Sequence, residues 1–334
     1  MDKLEFRNRL VKRGLTEEII HQHLAIVEEF EIFIGSENEG TSLESAGIVD
    51  LEAFSEHLIQ EGRNTFDNYL ALARYAIHIN NQPLARYAIE MVDGSEAIYN
   101  LYQKLGSAFG ERQRDTIFDG VELPPIGMLA EKKAILTQTI INRMEQMLDP
   151  NASQELLSSG LRDLPDESYQ EARQKYRECA NIDEFLDRRG TDFIAELESI
   201  KDTGRLYFTQ PITAPVIDFV RNHPEIQQGV REGNVIYEVK IPYMAREYLA
   251  ETDECMKRYY YCHCPWVRES IRIGQVKISP IFCNCSAGFH KKYWEVVLDR
   301  PLKGWVVESV LKGDPWCKLA IQLPDGVAPA HHVG

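Results

Sequence analysis

No stretch of the 334 residues approaches the roughly 20 apolar residues that a membrane-spanning helix requires. The opening residues, Met1 to Phe6, form no apolar segment of the signal-peptide kind. Both absences predict a cytoplasmic protein with no membrane partner. Several enzyme signatures are also missing. There is no Gly-x-Gly-x-x-Gly or Walker-type phosphate loop, no Gly-x-Ser-x-Gly elbow and no His-Glu-x-x-His. That argues against the common nucleotide enzymes, serine hydrolases and zinc proteases. Positive charge is scarce: 37 Lys and Arg stand against 52 Asp and Glu, a formal net charge of −15. Such a chain repels polyanions unless a local basic patch overcomes the overall field. The one dense basic cluster, Arg7, Arg9, Lys12 and Arg13, is followed at once by Glu17, Glu18, Glu28, Glu29 and Glu31, and reads as a solvated helix face. Cysteine is sparse as well. The seven residues, an odd number, read in a reducing compartment first as thiols or metal ligands and second as disulfides.

What is present divides by period. From the N-terminus the apolar residues recur at helical spacing: Ile19, Ile20, Leu24, Val27 and Phe30 after a Thr16-Glu17-Glu18 start signal, then Leu51, Phe54 and Leu58, then Tyr69, Leu72, Ala73 and Ala76, then Ile98, Leu101, Tyr102 and Leu105. Pro124 and Pro125, inside the run from Gly120 to Gly127, force an extended path and mark a boundary. A helix near Leu129 to Leu148 follows, with shorter helical segments up to Glu198. After Gly204 the pattern turns alternating or continuously apolar, which predicts strands at Arg205 to Thr209, Val235 to Ile241, Lys277 to Phe282, Tyr293 to Asp299, Gly304 to Leu311 and Trp316 to Leu323. The short loops between the last three require antiparallel neighbours. The expected class is therefore α+β: an acidic helical domain over 1–120, a linker and connecting helix over 121–150, an α+β domain over 151–324, and a disordered tail over 325–334 that holds His331 and His332.

Chemistry concentrates in two Cys-x-Cys pairs, Cys262/Cys264 and Cys283/Cys285. In extended chain, residues two apart share a face, so each pair would present two sulfurs together. Four soft donors in two close pairs suit tetrahedral zinc, with Cys255, His263, His290 and Cys317 as further candidates. A second reading keeps the thiols free. Ser286 to Lys292 has the makings of a helix, and a thiolate at its start near Lys291, Lys292 or Arg268 would be a depressed-pKa nucleophile. The third reading is packing, since free cysteine behaves as a small buried residue. Arg268-Glu269 is either a charge pair beside the site or a surface pair. Glu308 interrupts an apolar strand in one row with Val306 and Val310, as a pocket acid or base or as a water-facing edge residue. Tyr259 to Tyr261 reads as a packed strand.

The segment from Glu308 through Gly313 and Asp314 to Cys317 resembles the closing strand-turn-strand of the 4-vinyl-reductase domain family and of the related family named for L-2-amino-thiazoline-4-carboxylate hydrolase. The likeness covers mainly the last seventy residues. It implies a small-molecule-binding domain, often with cysteines that hold zinc, and carries over Glu308, Gly313, Asp314 and Cys317. Leu311 stands where that family usually has another cysteine. The whole chain, with Cys-His-Cys-Pro at 262–265 and Cys-x-Cys-Ser-Ala-Gly-Phe at 283–289, also resembles an uncharacterised bacterial and archaeal family. Val49 to Asn80 is similar to the helical, SAM-like core-binding domain of tyrosine recombinases, which grips DNA.

Together these readings predict a cytoplasmic protein that binds a small-molecule ligand beside a thiolate site, with zinc as cofactor. It would act as a sensor or as a metal-dependent enzyme in which Arg268 orients an anion and Glu308 moves a proton. The alternatives are a cysteine-nucleophile hydrolase without metal and an interaction protein with structural zinc; a homo-oligomer is compatible with each. Residues 1–100 carry eight Lys and Arg against eighteen Asp and Glu, a net of −10, which opposes phosphate binding despite the recombinase likeness. A mobility-shift titration with duplex DNA at low salt is accordingly expected to show no complex; a salt-sensitive complex would overturn this exclusion.

Overall fold

In the computed structural model, residues 2–37 and 42–327 are described, apart from the Glu37 side chain, and they form an α+β protein that is mostly helical. His331 and His332, like most of the expected tail, lie outside the described residues. The chain divides into two units. The first comprises Met1–Ser95 with Leu123–Lys133, the second Glu96–Glu122 with Ala134–Gly334. The break expected near Gly120 to Gly127 is thus a return of the chain into the first unit, and the helices just before it belong to the second.

The first unit is built from α1 (Lys3–Lys12), α2 (Glu17–Glu37), α3 (Ile48–Gln60), α4 (Phe66–His78) and α5 (Gln82–Val92). Their start signals are local: the Asp2, Thr65 and Asn81 side chains each accept an amide of the following first turn. The inward residues follow the helical spacing, with Phe30, Leu51, Phe54, Leu58, Tyr69 and Ala76 fully buried, while Ile19 turns outward. The returning segment is pinned by polar contacts. Ser55 Oγ donates to the Gly127 carbonyl at 2.8 Å and lies 2.5 Å from Tyr69 Oη. Gly127 is required there, since its φ is +86° and a Cβ would fall 1.8 Å from that phenol oxygen.

The second unit contains α6 (Glu96–Phe109), α7 (Glu111–Ile117), most of α8 (Ala130–Met147), α9 (Pro150–Leu157), α10 (Gln170–Glu178), α11 (Ile182–Thr203), α12 (Ala214–Arg221) and α13 (Pro224–Gln227). Four more helices follow: α14 (Ala245–Ala250), α15 (Glu254–Tyr261), α16 (Arg268–Ile273) and α17 (Asn284–Leu298). A hairpin joins β1 (Leu206–Tyr207) to β2 (Gln210–Pro211). The main sheet, from β3 (Val230–Glu232), β4 (Val235–Val239), β5 (Lys303–Glu308) and β6 (Lys318–Gln322), is antiparallel in the order β3-β4-β6-β5. The expected pairing of the last two strands is present, with Trp305 opposite Ala320.

Three expected strands are something else. Tyr293 to Leu298 is the end of α17, Tyr259 to Tyr261 closes α15, and Lys277 to Phe282 is coil leading into a 3₁₀ turn over Pro280–Cys283. The cause in α17 is visible in its buried set. Asn284, Ala287, Gly288, Trp294 and Leu298 recur at helical spacing over four turns, whereas the last six residues alone fit either period.

Gly288 sets how closely α17 approaches the chain after α9, because a Cβ there would lie 2.8 Å from the Ser158 carbonyl oxygen and 3.0 Å from its carbon. Neither backbone atom can rotate away. Gly288→Ala is therefore expected to destabilise the fold by about 1–3 kcal/mol in urea unfolding, the range for overpacking; an unchanged midpoint would refute the close-approach role.

Candidate functional site

All seven cysteines lie in the second unit, and five of them are coupled electrostatically. Cys262 caps the end of α15 in extended conformation, Cys264 lies two residues on, Cys283 ends the 3₁₀ turn, Cys285 is the second residue of α17, and Cys317 immediately precedes β6. All are free thiols. The second pair lies in helical rather than extended chain, so the expected same-face geometry does not hold for Cys283 and Cys285. Electrostatics separates them too. Cys264, Cys317 and Cys283 disfavour ionisation of Cys262, Cys317 and Cys264 that of Cys283, and Cys264 that of Cys317. Cys285 is coupled to Cys264 and Cys283 and also to Arg162 and Lys240. Cys262, Cys264, Cys283 and Cys317 form an electrostatically coupled quartet that takes in Cys317, a secondary candidate in the sequence, and Cys285 is coupled to two of its members.

Burial, first of all, raises the thiols of Cys262, Cys283, Cys285 and Cys317. It pushes Cys262 and Cys283 far up, with neighbouring thiols adding to it, and raises Cys317. Cys285 is pushed up to about 12 by burial and by Cys264, against the downward pull of Arg162 and Lys240. The depressed pKa expected of a nucleophile at the start of α17 is absent, because loss of water outweighs the nearby cations. What favours the thiolates is local: the Cys264 amide acts on Cys262, and the Ser309 hydroxyl acts on both Cys283, at 3.2 Å, and Cys317.

The turn from Ser309 to Cys317 is organised by the positions the family likeness singles out. Asp314 Oδ2 accepts the Ser309 amide at 2.8 Å, Gly313 has φ +107°, and Glu308 accepts the Trp316 indole N–H at 2.8 Å. A bulge between Val306 and Glu308 breaks the alternation, so Glu308 ends an edge strand and holds Trp316 instead of sharing a row with Val306 and Val310. Arg268 is buried, with its guanidinium 4.9 Å from the Tyr243 ring and 5.2 Å from the Tyr259 ring. Its neighbour Glu269 accepts from Tyr259 Oη and pairs with Arg272, three residues on. Cys255 stands apart from the quartet, its thiol bonded to the Ile271 carbonyl.

The polar residues of strand β4 and the chain just past it are the main omission from the sequence reading. Glu238, 3 % exposed, accepts from Arg189 of α11 at 2.5 Å and from His290 Nδ1 of α17 at 2.8 Å. The Arg189 guanidinium also lies over the Tyr293 and Trp294 rings. Lys240 Nζ donates to Ser286 Oγ at 2.9 Å. Their signal in the sequence is that Glu238 and Lys240 share one side of an otherwise apolar strand pattern, as Glu308 interrupts another. Both candidate histidines are held neutral. Burial and Lys240 bring His263 down to about 3, while its Nε2 bonds the Ile241 carbonyl at 2.7 Å. Burial likewise lowers His290, against the Glu238 bond. These acceptors fix a proton on Nε2 of His263 and on Nδ1 of His290, leaving the opposite nitrogens as lone-pair donors.

The quartet has the soft donors zinc prefers, but a closed tetrahedral site at 2.3 Å per bond needs sulfurs about 3.8 Å apart. Among the described residues, the only group of three or more possible ligand atoms within 4.8 Å of one another is Glu29, His57 and Glu61 in the first unit. There Arg63 already pairs with both carboxylates. Loading the thiol quartet therefore requires its side chains to close on the ion. Comparison with protein-family models, curated proteins and solved structures finds no match. No described helix is long and apolar enough to cross a membrane.

Burial opposes the charge on Glu238, yet Arg189 and the His290 bond overcome it and hold the carboxyl down at about 2. Glu238→Gln leaves the Arg189 charge uncompensated and is expected to cost roughly 3 kcal/mol at neutral pH. Because the folded pKa lies below the unfolded value of about 4.3, the carboxylate's contribution is complete above that value and lost as pH falls through about 2. Urea unfolding of both proteins should show the gap closing in acid. A gap independent of pH would remove Glu238 as its source.

Proposed function

We propose that the second unit binds a small molecule beside a thiolate centre formed by Cys262, Cys264, Cys283 and Cys317, with zinc as the ion its donors suit. The observation that supports this reading is convergence: four free thiols from three separate chain segments, buried or half-buried, lie near enough to be coupled electrostatically. An inert core gains nothing from collecting thiols that discourage each other's ionisation, whereas a metal ion displaces their protons and uses all of them. The high thiol pKa values favour this over a free nucleophile, which needs a thiolate near neutral pH. The lone-pair nitrogens of His263 and His290 and the donors on Lys240 supply the polar surroundings that a small-molecule site requires. Whether the bound molecule is transformed or only sensed turns on those groups, not on Arg268 and Glu308, whose side chains are engaged elsewhere.

Metal analysis of protein prepared without a histidine tag tests the reading. About one zinc per chain is expected, the stoichiometry of a single Cys₄ site. It should be lost in Cys262→Ser and in Cys317→Ser, and kept in Cys255→Ser and in Cys285→Ser. Metal-free wild-type protein with all thiols intact would sink the proposal, and loss in Cys285→Ser with retention in Cys317→Ser would restore the ligand set of two Cys-x-Cys pairs.

A further inference from the structure

Lys240 differs from the other lysines around this interior. Lys291 pairs with Glu295, Lys292 with Asp166 and Lys318 with Glu225. Half-buried Lys240 has a hydroxyl for a partner, Ser286 Oγ, and the Phe289 ring at 5.4 Å, with no carboxylate of the described residues within 4.0 Å. The direction of the hydrogen bond matters. An ammonium only donates, so Ser286 Oγ is the acceptor and its own proton is turned away from the lysine. The remaining ammonium hydrogens and the serine hydroxyl hydrogen are donors that no carboxylate of the described residues meets.

An ammonium and a hydroxyl hydrogen favour a ligand that accepts, and a cation with no carboxylate beside it favours an anion. Charge then narrows the class. Arg162, 5.8 Å from the Phe289 ring, is paired with Glu96 at 2.8 Å, and Arg189 is paired with Glu238. That leaves one positive charge and one hydroxyl, which match a monoanion better than a phosphate dianion. The charge of Lys240 is felt at Cys285, Cys317, His263 and His290, which places it amid the thiols and both neutral imidazoles. On a chain of net charge −15, a local cation is also what lets an anion approach.

We infer that Lys240 and Ser286 form a carboxylate seat, so that the small molecule taken by the second unit is a monocarboxylate held beside Cys285. The inference deepens the proposed function and rests on it only in taking this interior as a ligand site. Benzoate is a suitable probe, with benzamide as its neutral counterpart and inorganic phosphate as the dianion. Thermal unfolding of the full chain at matched ionic strength should show a concentration-dependent rise in Tm with benzoate and none with benzamide or phosphate. Lys240→Met should weaken the apparent benzoate affinity by about tenfold or more, in line with loss of a charge-assisted contact. Lys240→Arg should retain much of it, and Ser286→Ala should weaken it less than Lys240→Met. Should Lys240→Met fail to fold, Ser286→Ala and Lys240→Arg carry the test. A wild-type protein indifferent to benzoate, a variant responding like wild type, or equal responses to benzamide or phosphate would each overturn the seat. Zinc content of the same preparations separates the two ideas: its absence removes the thiolate centre without touching the benzoate result, and a benzoate failure with zinc present removes only the seat.

Discussion

A carboxylate on an interior strand is tolerated only where opposite charge and hydrogen bonds meet it, and Glu238 obtains both from elements distant in sequence. Arg189 reaches it from α11 and His290 from α17, while the guanidinium lies over the rings of Tyr293 and Trp294. Because a slip would strand a buried charge, this contact holds the register of α17 against β4. Two residues along the strand direction, Lys240 meets Ser286, one helical turn before His290. The position of Cys283 and Cys285 at the start of α17 follows from the same register.

Cys283 and Cys317 share the Ser309 hydroxyl, which the Asp314 and Gly313 turn presents from the end of β5. Lys240 acts on both Cys285 and Cys317, and Arg162 on Cys285. Neutral imidazoles and high thiol pKa values share one origin here, the removal of water from groups whose charge water would otherwise support.

Much of the first unit was legible in the sequence, because its helices are amphipathic over several turns and begin at local caps: Phe54, Leu58, Tyr69 and Ala76 occupy the core that their spacing requires. The antiparallel pairing of β5 with β6 was legible for a similar reason, the short loop between them. The C-terminal helices were not. Six-residue windows such as Tyr293 to Leu298 satisfy both periods, and the choice falls to the turns that precede them.

The sequence by itself determined the α+β class, the acidic character and the inventory of thiols, since composition and local periodicity carry those properties. Which thiols are coupled, that Cys317 is among them, and that Glu308 is engaged by Trp316 were decided only by tertiary structure. The reason is physical. Spacing along a chain constrains neighbours within a strand or a helical turn, but the electrostatic environment of a thiol depends on groups brought to it by separate elements, and none of those contacts leaves a periodic trace.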